Sequence, residues 1–275
     1  RDDAEDIHAA VVDKLTQIYA VEKRLMLSIL PRPRPREVNF AVEQLKERGF
    51  RQGSGLPYPN RYFVNVDIDV DAMRASFNQK WRSHLKKSEK NDLEFEHCDA
   101  SNMSEFCRLY EEMTARKQFP DYSAYDSLHH LMDNIDESAR PELFIVREGG
   151  EAVAGGVIFT AGDTAVYLYG ATNDRALPLR AGYFMHWHIM RWLSQQERIK
   201  WYDLGGTDGF LGLHQFKNGM VGKAGVVSTV PHVYNYAHWF IPRALGNLAF
   251  FVRDVKANTM RKLNELRSKS GNQDG

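Results

Sequence analysis

Cysteine is all but missing from this chain, which has two, Cys98 and Cys107, among its 275 residues. Two thiols make no disulfide framework, and such scarcity fits a reducing compartment. An excess of charge of one sign is missing too, since 36 basic residues balance 36 acidic ones. A polyanionic partner must then be met by a local patch, because no net field draws it to the whole molecule. No uninterrupted apolar run reaches the roughly 20 residues of a membrane-spanning helix. The nearest stretch, Ala237 to Val252, is interrupted by Pro242, Arg243 and Asn247. With no signal peptide or lipidation motif visible, the expected location is cytoplasmic. No Ser-His-Asp or Cys-His arrangement is evident, so any group transfer is expected to be direct, without a covalent enzyme intermediate.

What is present is a composition of 43% hydrophobic and 26% charged residues, ordinary for a globular chain of one large or two smaller domains. Helical spacing runs through Asp2 to Ala20, with Ile7, Val11, Leu15, Ile18 and Tyr19 on one side. A strand, Leu25 to Leu30, stops at the Pro31 to Pro35 connector, and a helix, Val38 to Gly49, precedes a strand, Tyr62 to Ile68. Asp69 to Lys90 reads as one long helix, because Met73, Phe77, Trp81 and Leu85 recur every four residues. Trp81 is read as core. The other faces carry Lys80, Arg82, His84, Lys86, Lys87 and Lys90, either as a solvated surface or as a ridge for a polyanion. Leu93 to His97 is a strand, followed by helices from Ser104 to about Lys117 and from Asp126 to Ile135. Adjacent His129 and His130 point in different directions on a helix, so no metal pair is expected there.

From Glu142 the period becomes that of strands. Leu143 to Arg147, Ala152 to Thr160 and Ala165 to Ala171 are joined by glycine turns and form an antiparallel meander. A helix, Ala181 to Gln196, then leads to a strand, Ile199 to Asp203, which implies a parallel crossover. The last strand is Gly225 to Val230. Such a mixed sheet splays where its antiparallel and parallel parts meet. Asp203, closing a strand ahead of Gly205 and Gly206, marks a cleft where another molecule can approach the backbone, or else a glycine turn with a satisfied Asp cap. A turn-rich segment then leads to Phe216 and Lys217, ahead of Gly219 and Gly222. The tail from His232, with Tyr234, Tyr236, Trp239, Phe240, Leu245, Phe250 and Phe251, is too aromatic to stay in water. It is expected to pack back on the first part of the chain, and its second reading is a helix on a membrane surface.

Together, WRSHLKKSEK (81–90), YLYGAT (167–172), LRAGYFMHWHIM (179–190) and WYDLGG with HQFKNGMVG (201–222) resemble the Fem-type (FemAB-like) transferases of the GNAT acyltransferase superfamily. That family includes the aminoacyl-tRNA-dependent enzymes that add bridge residues to peptidoglycan precursors. The resemblance covers about Leu25 to Val230 and implies an α/β (mixed α+β) fold, an acetyltransferase-like mixed sheet flanked by helices, in tandem lobes. On that pattern 1–68, joined by 232–275, is the remainder of a first lobe that lacks its opening strands. Residues 69–231, with the basic helix 69–90, form the second lobe.

The reaction so implied is attack of an amine on an ester or thioester to give an amide, which needs a stabilised oxyanion and two aligned substrates. The family's Phe-Lys segment makes Lys217 the positive group beside the acyl ester and Phe216 the wall of its pocket. Asp203 either orients the amine or holds the turn at Gly205 and Gly206. Tyr169 either bonds near the same cleft or is a sheet aromatic. Bases are few, so substrate-assisted deprotonation is expected. Coenzyme-A-using relatives cradle pyrophosphate on amides at the helix after the meander. Here Leu179 to Phe184 lacks the glycine spacing, and Tyr183 and Phe184 obstruct the loop, which disfavours coenzyme A. The implied donor is aminoacyl-tRNA, with Arg180, Lys86 and Lys87 as phosphate contacts and no bound cofactor or metal. The implied acceptor is a nucleotide-linked or lipid-linked cell-wall precursor. Competing readings are an N-acyltransferase using acyl-CoA or acyl-carrier protein in polysaccharide or lipid assembly, and a non-catalytic anion-binding fragment.

Overall fold

Alternation along one strand decides the layers. Leu143, Phe144, Ile145 and Val146 are all fully buried, so both faces of β5 (Glu142–Glu148) are covered. The structure is a computed structural model that describes residues 2–117, 124–136, 140–160 and 162–270. It divides into two units, Arg61–Val227 and the chain up to Asn60 with the segment from Ser228 onward.

The Arg61–Val227 unit is built on a seven-stranded sheet. Strands β5, β6 (Glu151–Phe159) and β7 (Thr164–Thr172) form the expected antiparallel meander, and β4 (Leu93–Cys98) adds to it antiparallel beside β5. β7 then pairs in parallel with β8 (Trp201–Asp203), β8 pairs antiparallel with β3 (Asn60–Asn65), and β9 (Val226–Thr229) completes the order. Helix α5 (Met103–Lys117) lays Phe106, Leu109 and Met113 against Leu143, Ile145 and Val157 on one face. On the other, helix α8 (Ala181–Leu193) lays Met185, Ile189 and Met190 among Phe144, Val146 and Ile158. The period-2 pattern of the strands and the period-3.6 pattern of the helices therefore meet in two cores, one per sheet face.

The long helix expected over Asp69 to Lys90 is two helices, α3 (Val70–Ser76) and α4 (Gln79–Ser88). Phe77 is extended, and Asn78 starts the second helix by accepting a hydrogen bond from the Trp81 amide at 2.8 Å. Met73, Phe77, Trp81 and Leu85 are nonetheless all buried. The segment expected as turn-rich is also helical, α9 (Leu211–Val221). It docks on the α3–α4 corner, where the Asn78 amide donates to Gly219 O at 3.0 Å and the Lys223 amide to Ser76 O at 2.9 Å. The fit requires glycine: at Gly222 φ is +58°, and a Cβ would stand 2.2 Å from Ser76 O.

In the other unit, β1 (Leu27–Ile29), β10 (Tyr234–Tyr236) and β2 (Arg51–Gln52) form a three-stranded antiparallel sheet. Val12 of α1 (Asp2–Leu15) and Leu45 of α2 (Phe40–Glu47) close its core with Phe50 and Tyr234. The tail only partly meets its expectation. Tyr234 and Tyr236 join the sheet, but in helix α10 (Phe240–Ser270) Leu245 and Phe251 stand exposed. The helix meets its unit through another side, where Gly246 lies against Met26. Among the described residues no helix is long and apolar enough to cross a membrane.

Gly222→Ala is expected to destabilise the chain by about 3 kcal/mol through backbone strain and the clash with Ser76. Urea unfolding measures it, and a loss below about 0.5 kcal/mol would show that the α3–α4 corner adapts.

Candidate active site

The sheet opens where the parallel pair begins. β7 and β8 are paired only over Thr164–Val166 and Trp201–Asp203, while β7 runs on to Thr172. The chain leaving β8 stays with β3 instead: the Leu204 amide donates to Tyr62 O at 2.8 Å and the Tyr62 amide to Gly205 O at 3.3 Å. Asp203 fixes this departure. Its fully buried carboxylate accepts from Arg61 Nε at 2.7 and 2.8 Å and from the Gly205 amide at 2.9 Å. Gly205 takes φ +74°, which a side chain would resist.

Lys217 reaches this turn from α9. Its Nζ donates to Leu204 O at 2.5 Å and to Gly206 O at 2.6 Å, and the residue is 8% exposed. An ammonium carries three donors, so one remains for a substrate oxygen. Burial, only partly offset by Asp208 and Asp203, pushes the Lys217 ammonium down to about 8. Aromatic rings surround the approach. His186 of α8 lies 5.5 Å from the Phe216 ring and 4.8 Å from that of Tyr167, and its Nδ1 shares a 3.0 Å hydrogen bond with the Tyr202 hydroxyl. Burial, followed by the charge of Lys217, pushes His186 down to about 3, so it stays neutral and does not compete with the lysine for charge.

A cavity of about 280 Å³ opens between α4, the start of α8 and α9, lined by Phe216 and Asn218, the chain neighbours of Lys217, but not by Lys217 itself. Trp81, Tyr183 and Phe216 wall it in mutual ring contact, at 5.3 Å and 4.9 Å about Tyr183. Lys80, His84 and His214 also line it, and no acidic residue does. Burial, then the charges of Arg180, Lys80 and Lys87, hold His84 below its ordinary value. Asn78, Gln215 and Asn218 complete a lining that joins an aromatic wall to a larger share of polar groups, with Lys80 as its cation. A group with a flat ring-stacking face and polar or anionic substituents suits it.

Comparison with known proteins places this geometry. Residues 73–218 match the family model described as Acetyltransferase (GNAT) domain, more than half of the chain. The chain belongs to the GNAT acetyltransferase family. This GNAT chain is accordingly an acyltransferase by family and fold. It is similar in fold to FemX, with a TM-score of 0.73 at 18% identity over 90% of this chain and 79% of that one. It is also similar to the C-terminal domain of a putative lysylphosphatidylglycerol synthetase from Agrobacterium fabrum (TM-score 0.61, 13% identity, 88% and 77% coverage). L-PGS from Bacillus licheniformis aligns with a TM-score of 0.57 at 14% identity, covering 87% and 76%. No curated protein matches the chain significantly by sequence.

Lys217, Asp203, Gly205 and Gly206 converge on one turn at the sheet's opening, and Phe216 lines the cavity. Arg180 stands at the start of α8 in a left-handed conformation, with φ 56°. Lys87 shares a helix stripe with Lys80 and His84, whereas Lys86 lies about 100° round α4. Tyr169 is not in this group. An irregularity of pairing at Val157 and Ile158 leaves Leu168 as an extra residue, so Tyr169 turns to the α5 face, 5.9 Å from Tyr110. Tyr167 takes the place expected of it, beside His186. Sequence reasoning also missed Arg61, the partner of Asp203 from 142 positions away, for which no local signal exists.

Asp203→Ala is expected to cost about 3 kcal/mol in unfolding free energy, by leaving Arg61 and the Gly205 amide without their acceptor. A change within about 0.5 kcal/mol of wild type in a denaturant titration would show that the turn holds without the carboxylate.

Proposed function

We propose that this GNAT acyltransferase moves an aminoacyl group from aminoacyl-tRNA to an amine of a cell-wall precursor or similar acceptor. The observation that carries the reading is the buried Lys217 ammonium, fixed by two backbone carbonyls at the mouth of the splayed sheet, with its neighbour Phe216 in the wall of a cavity that holds Lys80 and no acid. The amine attacks the ester carbonyl, a C–N bond forms, and negative charge develops on the carbonyl oxygen. The remaining N–H of Lys217 donates to that oxyanion from a dry site, where such a bond is worth most. As the intermediate collapses, the C–O bond to the ribose breaks and the proton of the amine passes to the departing hydroxyl. His186 is too deeply buried to serve as a base, which favours proton transfer between the substrates themselves. Asp203 and Arg61 act through the turn that presents Leu204 O and Gly206 O, and are positioning residues.

The start of α8 supports a tRNA donor over coenzyme A. The Tyr183 amide is already bonded to Arg180 O at 3.0 Å, and the Tyr183 ring packs into the cavity wall, so few amides remain for a pyrophosphate. Lys80, Lys87 and Arg180 instead provide separate cations for phosphates spaced along a polynucleotide. The fold shared with FemX, and with a synthetase named for a lysylated phospholipid, agrees with this reading.

Transfer from radiolabelled aminoacyl-tRNA to nucleotide-linked cell-wall precursors tests it, with acetyl-CoA as the rival donor. Use of acetyl-CoA alone would sink the proposal. Activity is expected to fall as pH rises past about 8, because the Lys217 ammonium is lost there rather than near 10.5. Lys217→Met is expected to lower kcat/KM by about 100-fold or more and to abolish that alkaline limb. An unchanged limb in the variant would assign it to another group.

A further inference from the structure

We infer that helix α10 docks on an anionic membrane surface. Six of its large apolar side chains stand in water: Ile241, Leu245, Leu248, Phe251, Val252 and Val255 are between 49% and 69% exposed. At about 100° per residue they span an arc of roughly 120° on one side of the helix. The opposite side is tied to its own unit. Gly246 lies against Met26, Arg243 Nη2 donates to Ala237 O at 2.7 Å, and Arg253 Nη2 donates to Ser54 Oγ at 2.7 Å. The helix cannot roll to hide its apolar face without breaking these contacts, so the arc is held outward.

Charge and shape select the occupant. Between Phe240 and Ser270 the sequence has seven basic residues and two acidic ones, a net charge of +5 on a chain that is neutral as a whole. An apolar stripe on a strongly basic helix is the signature of a segment lying in the headgroup region of anionic lipid. A second copy of this chain fits less well. Ile241, Leu245, Leu248, Val252 and Val255 do follow the four-three spacing of a two-helix seam. Phe251, however, stands about 80° to the side of that seam and would stay in water, and the two like-charged helices would repel. A lipid surface covers the whole arc and attracts the charge. Such docking would hold the acyltransferase where lipid-linked acceptors lie, but it stands on α10 alone and does not depend on the identity of the donor.

Cosedimentation of the full chain with vesicles tests the inference, using phosphatidylcholine alone and phosphatidylcholine with roughly one-third phosphatidylglycerol. Binding is expected to the second and to be weaker at high salt. Leu248→Ser with Val252→Ser is expected to lower the partition coefficient about tenfold or more, with circular dichroism unchanged because both positions are exposed. Absence of binding to anionic vesicles overturns the proposal. So does binding that the double variant leaves intact, or a wild-type dimer that the variant dissociates while neither protein binds lipid.

Discussion

A buried ammonium held by two peptide carbonyls is the constraint on which the rest of this site depends. Lys217 gives up most of its hydration and receives Leu204 O and Gly206 O in return. That exchange is unfavourable, as its lowered proton affinity shows. The folded chain releases the Lys217 proton at about 8 and an ordinary lysine at 10.5. Between these values the unfolded state binds more protons, so stability rises with pH across that window and the cost is fully present below it. A strongly perturbed, buried ammonium of this kind is a functional-site candidate, and the reaction proposed above gives it a use at a developing oxyanion.

The fold spends much of its sequence on placing that one group. The antiparallel meander and the parallel β8 part at Val166, and Asp203, paired with Arg61, turns the backbone so that successive carbonyls face α9. Glycines 219 and 222 bring α9 onto the corner between α3 and α4, which sets Phe216 and Trp81 in the same aromatic wall of one cavity. Neutral His186 backs the arrangement with an aromatic contact that adds no competing charge.

Much of this was legible in the residues alone. Alternating strands, glycine turns and a helix between two strands disclosed the mixed sheet, because each is a local pattern with a local cause. The acid and paired glycines from Asp203 to Gly206 stood out for the same reason, whereas Phe216 and Lys217 were singled out only by the family resemblance. The break at Asn78 did not, since the apolar residues keep their four-residue spacing across it and both short helices bury them. Tyr167 and Tyr169 could not be told apart, because a single extra strand residue puts them on opposite faces of the sheet, Tyr167 beside His186 and Tyr169 toward α5. The Arg61–Asp203 pair is a matter of strand order, which no spacing along the chain reveals. For the tail two readings stayed open, packing on the first part of the chain or lying on a membrane, because aromatic content says that a segment seeks cover, not where the cover comes from.

The most direct test of the account is a nuclear magnetic resonance titration of the Lys217 side chain, its signal identified by its loss in Lys217→Arg. The account predicts a midpoint near 8, well apart from the other lysines of the chain. A midpoint at the ordinary 10.5 would contradict it, because the ammonium would then be solvated and too far from a dry cleft to stabilise an oxyanion.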